Sequence, residues 1–376
     1  MKIFLIALLA FCLCTAAVFA QELSENRDPL LLNFGLRLLG ADVGLGYIIS
    51  DPNSGSPDTI LWGIVGGGYE WVTFFRDLND EQYDGTFPGY EPAIDPYYDR
   101  INARFDLGIA QGIVFNNRLK RNLLEAFLFY KIRYDFPIEN TDLNQLFFDS
   151  TLEETSGLFQ NSLLFGFSFN DLDARDPHGT KTGIYAEVSG EWGPEFLMNN
   201  LVGRADFIRV NFSSKGFLKL FDIAPEEKLN LLSGYFGAFL ALDYCAGNVL
   251  PANIQQTLGG RSPRWGLGNA VRGYEDARFD GQFKAVLNLE FRLNIMQFDL
   301  FGLGANTPGI IVFFDSGYYD FMYYQDSGFL FSAGAGVFIN LIGYTSLTFY
   351  TAFPLSKTLV TGDSWMPFVI GFDAHF

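Results

Sequence analysis

From Ile101 to Ile113 the side chains change character at every step. Odd positions carry Ile101, Ala103, Phe105, Leu107, Ile109 and Ile113, and even positions carry Asn102, Arg104, Asp106, Gly108, Ala110 and Gly112. Phe283, Ala285, Leu287, Leu289, Phe291 and Leu293 alternate in the same way with Lys284, Asn288, Glu290, Arg292 and Asn294. Ile184, Ala186, Val188 and Trp192 alternate with Tyr185, Glu187, Ser189 and Glu191. A period of two belongs to the extended strand, whose successive side chains point to opposite faces. Each segment therefore has one apolar face, dense in Phe and Leu, and one polar, often charged face. The pattern predicts fourteen strands, over 31–39, 42–50, 59–75, 100–114, 122–135, 158–170, 181–193, 202–221, 230–246, 281–299, 308–320, 329–342, 345–354 and 365–376. The segment 31–50 reads either as a hairpin or as one bulged strand. Gly66-Gly67-Gly68, within 59–75, is expected to mark a bend.

Many of these segments run to about 10 to 17 residues, whereas a usual strand has about 5–6. A water-soluble sandwich would alternate too, but it needs neither such length nor a charged face opposite one so rich in Phe. A lipid-facing barrel explains both. Strands of about 9–11 residues or more cross the hydrocarbon at a tilt, apolar outward and polar toward the lumen, and closure leaves no backbone unpaired in lipid. The expected fold is all-β, a closed antiparallel transmembrane β-barrel. Tight connections such as Ile342-Gly343-Tyr344 suit its periplasmic side, and the longer 76–99, 136–156 and 321–328 its outer side.

Composition narrows the picture further. The 376 residues are 49% apolar and 17% aromatic, with 41 Phe against 5 Trp, so disorder is excluded. Charged residues make up 18%, below the roughly 25% of soluble domains. A net charge of −18 argues against a nucleic-acid partner, which needs a basic face. Met1 to Ala20 reads as a secretory signal peptide, with Lys2 at its start, an apolar run from Ile3 to Leu13, and cleavage expected after Ala20. Residues 21–30 then form a short periplasmic segment, and 31–376 the barrel. Beyond the first twenty residues no uncharged apolar run reaches the ~18 needed for a spanning helix. Cleavage removes Cys12 and Cys14, leaving Cys245 without an intramolecular disulfide partner.

The chemistry-bearing residues form no catalytic pattern. Asp77, Asp80, Glu81, Asp84, Glu91, Asp95 and Asp99 crowd one connection and read as a solvated loop. The trial calcium loop from Asp77 has Gln82 where Gly is required, so it fails. His178 and His375 are the two histidines. His178 sits in the turn Asp176-Pro177-His178-Gly179, and Asp363-Ser364 is a weak lure for a serine hydrolase, which needs all three groups within hydrogen-bond reach. No metal cluster, phosphate loop or dinucleotide fingerprint occurs. The chain is expected to be neither an enzyme nor a cofactor protein.

Residues 247–280 lack a strand pattern, and a loop this long in a compact domain is usually functional. The loop contains Gly259-Gly260-Arg261 and then Val271-Arg272-Gly273-Tyr274. Asn288-Leu289-Glu290-Phe291-Arg292, Phe313-Phe314-Asp315-Ser316-Gly317, Ser332-Ala333-Gly334-Ala335-Gly336-Val337 and Phe349-Tyr350-Thr351-Ala352-Phe353-Pro354 follow in order. Upstream stand Phe167-Ser168-Phe169-Asn170, Asp173, Arg175, Asp176, Pro177 and Gly179. From about 158 to 376 this series resembles the outer-membrane assembly barrels, the BamA/TamA-type bacterial surface antigen barrels, whose sixth extracellular loop carries V-R-G-F/Y.

The resemblance implies an inward-folded loop, locked in the lumen by Arg272, Gly273 and Tyr274, with Arg272 bridging to Glu290, Asp315 or both. Physically, an Arg carried into a barrel must pair with carboxylates or remain a costly buried charge. The last strand, with Gly371, Phe372 and the terminal aromatic Phe376, resembles a C-terminal targeting signal. Sixteen strands are implied, against fourteen counted, and the form is expected to lack periplasmic POTRA domains. The implied role is assisting insertion or passage of protein or lipid at the bacterial outer membrane. The alternative is a structural or surface-antigen barrel, or a narrow channel, without insertase activity. Expected partners are outer-membrane lipid, with client outer-membrane proteins or a separate periplasmic partner.

Overall fold

The computed structural model describes residues 29–37, 40–50, 55–73, 97–138, 157–173, 179–223, 231–261, 266–274, 281–299, 305–321, 326–341, 345–356 and 366–372. The signal segment 1–20, His178, His375, Asp363-Ser364, the Asp77–Asp95 acids and Phe376 lie outside the described residues. Among those described, one sheet of 15 strands forms. It comprises β1 (Leu30–Arg37), β2 (Gly40–Ile48), β3 (Thr59–Thr73), β4 (Tyr97–Asn116), β5 (Arg121–Pro137), β6 (Leu158–Asn170), β7 (Gly183–Gly193) and β8 (Asp206–Ile223). β9 (Leu232–Val249), β10 (Phe283–Ile295), β11 (Phe298–Asp299), β12 (Ala305–Phe321), β13 (Asp326–Leu341), β14 (Thr345–Pro354) and β15 (Met366–Phe372) complete it. Neighbours in the path follow chain order from β1 to β15, except that β10 pairs with β12 while the two-residue β11 lies beside β12. The pairings are antiparallel. No described helix is long and apolar enough to cross a membrane, which says nothing of crossing by strands.

The alternation sorts the faces, but with the opposite sense to a soluble protein. On β4, Ile101, Leu107 and Ile109 are exposed while Asn102 and Asp106 are buried. On β10, Lys284, Asn288, Glu290, Arg292 and Asn294 are all buried, and Leu287 on the other face is exposed. The inner face is not uniformly polar. Ile48, Ile60, Ala110, Phe127, Phe129 and Leu164 form a buried apolar cluster across β2–β6. The abundant glycine serves this packing, because inward aromatic rings lie flat on cross-strand glycines. Gly108 faces Phe129 in register, and a Cβ at Gly108 would stand 2.2 Å from that ring.

Four expectations are resolved or corrected. Residues 31–50 form the hairpin β1–β2, with Leu30 opposite Tyr47. Gly66-Gly67-Gly68 marks no bend, since β3 runs unbroken and stays in register with both β2 and β4. The reason for glycine there is lateral. A Cβ on Gly66 would sit 1.7 Å from Asp42 Oδ1, where Asp42 pairs with Arg104 at 2.9 Å. Gly66→Ala is therefore expected to displace that ion pair and cost about 1–3 kcal/mol, measured as a lowered urea midpoint. The segment 281–299 is not one strand: Met296 takes a left-handed φ of 31°, and β11 folds back on β12. The strand expected from 202 starts at Asp206, because Asn199 ties the preceding residues into a turn.

Candidate functional site

The stretch from Leu250 to Gln282 joins β9 to β10, and its described residues carry two short helical turns, Ala252–Gln255 and Leu267–Ala270. Those residues have no period of two and add no strand to the sheet. Instead the apolar residues Leu258, Leu267, Ala270, Val271 and Tyr274 pack on the inward Phe239, Ala241, Val286, Tyr319 and Leu330. Gly317 makes room, since a Cβ there would meet Val271 Cγ2 at 2.7 Å. The loop thus lies against the charged face of the sheet.

Arg272 is 2% exposed. Its Nε and Nη2 each donate to Asp315 at 2.7 Å, a two-pronged pair that matches guanidinium to carboxylate. Nη1 donates to Glu290 at 2.6 Å, and the backbone N–H of Arg272 donates to Asp315 Oδ2 at 3.1 Å. The second oxygen of Glu290 accepts from Arg292 Nε at 2.8 Å. The guanidinium lies over the Phe313 ring, 3.6 Å from its centre. Burial alone would depress the Arg272 pKa, but Asp315 and then Glu290 outweigh it and hold the group above its ordinary value.

The next two residues fix the chain path. Gly273 adopts φ 102°, a left-handed conformation that favours glycine, and a Cβ there would come within 3.2 Å of Ala352 on β14. The Tyr274 hydroxyl donates to the Phe331 carbonyl at 2.9 Å. The structure therefore gathers Arg272, Gly273, Tyr274, Glu290 and Asp315 at one place. Gly371 and Phe372 lie on β15, in register with Thr348 and Leu347 of β14.

A second attachment was not singled out by the sequence reasoning. The Arg261 backbone N–H donates to Glu187 on β7 at 2.7 Å. Its guanidinium pairs with Glu125 on β5 and lies 5.2 Å from the centre of the Phe127 ring. Between the two arginines' anchor points, Arg209 pairs with Asp243 at 2.9 Å, and Gly259 N–H donates to the same carboxylate at 2.9 Å. Lys284 also reaches Asp243, at 3.2 Å, and donates to the Gln255 carbonyl at 2.6 Å. One loop thus touches β5 and β7 on one side and β14 on the other, so the sheet curls around it. Alternation does mark Glu125, Glu187 and Asp243 as charges on strands, but no local window tells which loop cation they meet.

A crystal structure of BamA from Haemophilus ducreyi lacking POTRA domains 1–3 matches this curled sheet with a TM-score of 0.53 and 15% identity. The fold is BamA-like. The match covers 91% of this chain, which spans 64% of that one. No family model matches the sequence, and no curated protein does either. Among the described residues no cluster of His, Cys, Asp and Glu could hold a metal ion.

Arg261 yields a prediction separate from Arg272. Arg261→Ala leaves the Arg272 contacts in place and removes the loop's tie to Glu125 of β5, while Asn253 still donates to Asp135 of that strand at 3.1 Å. The Arg261 side chain is 23% exposed, so water takes up part of the loss, and the expected cost is about 1–3 kcal/mol. Faster trypsin cleavage within the loop, with strand content unchanged by circular dichroism, is the expected readout. Cleavage as slow as in the parent would show that this attachment contributes nothing.

Proposed function

We propose that this sheet closes into an outer-membrane β-barrel whose lumen is occupied by the Arg272 loop, and that its first–last strand seam assists insertion or passage of protein or lipid. The observation that carries the membrane reading is the inverted burial: Leu107 and Ile109 are exposed while Lys284, Glu290, Arg292 and Asp315 are buried. Charges inside and bare hydrocarbon outside suit a barrel in lipid and would be costly for a sheet in water. The seam is supported by topology: among the described residues β1 and β15 are the two ends of the sheet's path, β1 paired with β2 and β15 with β14, so closure brings these two strands together. In this reading Gly371, Phe372 and Phe376 belong to the C-terminal targeting signal. Partners are outer-membrane lipid, client barrels and a separate periplasmic protein, and no catalytic step is included.

The test is reconstitution in liposomes with an unfolded client barrel, following client folding by gel mobility. Folding faster than in empty liposomes is expected; equal rates would overturn the insertase reading. A second reading, a plugged structural barrel, is favoured by one observation, the attachment of the loop at both Arg261 and Arg272. In planar bilayers that barrel conducts poorly until Arg272→Ala releases the loop.

A further inference from the structure

The connection from β7 to β8 carries apolar side chains that no strand pattern requires. Phe196 is 71% exposed, Leu201 63% and Met198 52%. These are not the ends of a slack loop. Pro194 lacks the N–H that would continue the ladder, and Glu195–Leu197 make a single 3-10 turn closed by Met198 at φ 64°. Asn199, fully buried, ties the turn to β6: its Oδ1 accepts from Asn161 N–H at 2.5 Å, and its Nδ2 donates to the Asn161 and Pro194 carbonyls at 2.9 and 3.0 Å. Ala205 N–H donates to the Asn199 carbonyl at 2.9 Å, and Phe159 N–H to that of Val202 at 2.9 Å.

The polar side chain thus points inward and the three large apolar ones outward, the same inversion seen on the strands. The patch continues one. The Phe196 ring meets Trp192 edge-on at 5.4 Å, and Trp192 ends the outward face of β7 in register with Ile208, which is 50% exposed. Glu195 and Arg204 pair across the turn at 3.3 Å and give it a polar rim.

We infer that this turn is a membrane-interface insertion, seating Phe196, Met198 and Leu201 at the boundary between lipid headgroups and acyl chains beside Trp192. A tryptophan at a strand end with apolar residues around it and a polar rim has the chemistry of that boundary. Lipid is the occupant chosen because the patch is continuous with the outward apolar face. The inference rests on the outer-membrane reading above, and the experiment separates the two.

An environment-sensitive fluorophore would be attached in turn to Phe196→Cys, Leu201→Cys, Asn200→Cys and Ile109→Cys. The background is the full chain with Cys12→Ala, Cys14→Ala and Cys245→Ala, reconstituted in phosphatidylcholine vesicles carrying spin labels either near the headgroup or near the acyl-chain end. Folding of each variant is checked by gel mobility before labelling is read. At Phe196 and Leu201 the expected result is blue-shifted emission quenched most by the shallow label. Asn200 should stay in water, and Ile109 should be quenched most by the deep label. Unquenched probes at Phe196 and Leu201 with Ile109 quenched would overturn the insertion and leave the barrel standing. An unquenched Ile109 would remove the barrel reading itself. A blue shift at Phe196 that grows with protein-to-lipid ratio without lipid quenching would assign the patch to a second copy instead, and so overturn the inference.

Discussion

Arg272→Ala is expected to destabilise the fold by about 3–5 kcal/mol, the cost of stranding a buried charge. Glu290 keeps a cation after the substitution, since Arg292 Nε stays 2.8 Å from its second oxygen. Asp315, 0% exposed, loses both guanidinium prongs and retains the backbone N–H of residue 272. The loop also loses the cation over Phe313, so it should detach at this end while Arg261 still holds the other. Arg272→Lys should recover only part of the loss, because an ammonium cannot serve Asp315 with two parallel bonds, reach Glu290 and stack on a ring together. Asp315→Asn introduced with Arg272→Ala should restore some stability by removing the stranded charge. The measurement is the urea midpoint at constant slope, with gel mobility of unheated samples as a second readout. A change below about 0.5 kcal/mol, the size expected at a plain surface site, would mean that Arg272 is solvated and the loop unlocked.

Much of this architecture is written in the alternation itself, because strands such as β4 and β10 pack a polar face and leave an apolar one exposed. The ranges 158–170 and 345–354 coincide with β6 and β14 for that reason. Lateral contacts are less legible. Gly66 reads as a bend by habit, whereas its cause is the Asp42–Arg104 pair from two neighbouring strands. The start of β8 is displaced by Asn199, whose bonds to Asn161 span 38 positions and leave no periodic trace. The site divides the same way. Arg272, Glu290 and Asp315 were reached through ordered resemblance, with alternation placing Glu290 inward. The Arg261–Glu125 pair, 136 positions apart, has no local signature, and Arg261 differs in no sequence property from an arginine in solvent. A buried ionic interior is specified by tertiary proximity, so the polar face is legible as a face long before its pairs are.

Leu107→Arg distinguishes a membrane sheet from a soluble one more sharply than any change inside. Leu107 lies in the middle of β4, 49% exposed, between the inward Asp106 and Gly108. In water, a charge at such a surface position is tolerated to within about 0.5 kcal/mol. In a bilayer the same side chain must sit in hydrocarbon or reach for the interface, at about 2–4 kcal/mol near the midplane. The substitution should therefore lower the urea midpoint strongly in phospholipid vesicles, and less in detergent micelles, where water and headgroups lie closer. Moving the arginine along the strand to Ile101, also on the outward face and six positions from Leu107, should cost less, because the penalty falls to about 0–1 kcal/mol toward the interfaces. A flat profile along β4 in vesicles would contradict the membrane assignment, since only a hydrocarbon layer makes the cost of one charge depend on its depth. A peaked profile would fix the bilayer midplane on β4 independently of any contact inside the barrel.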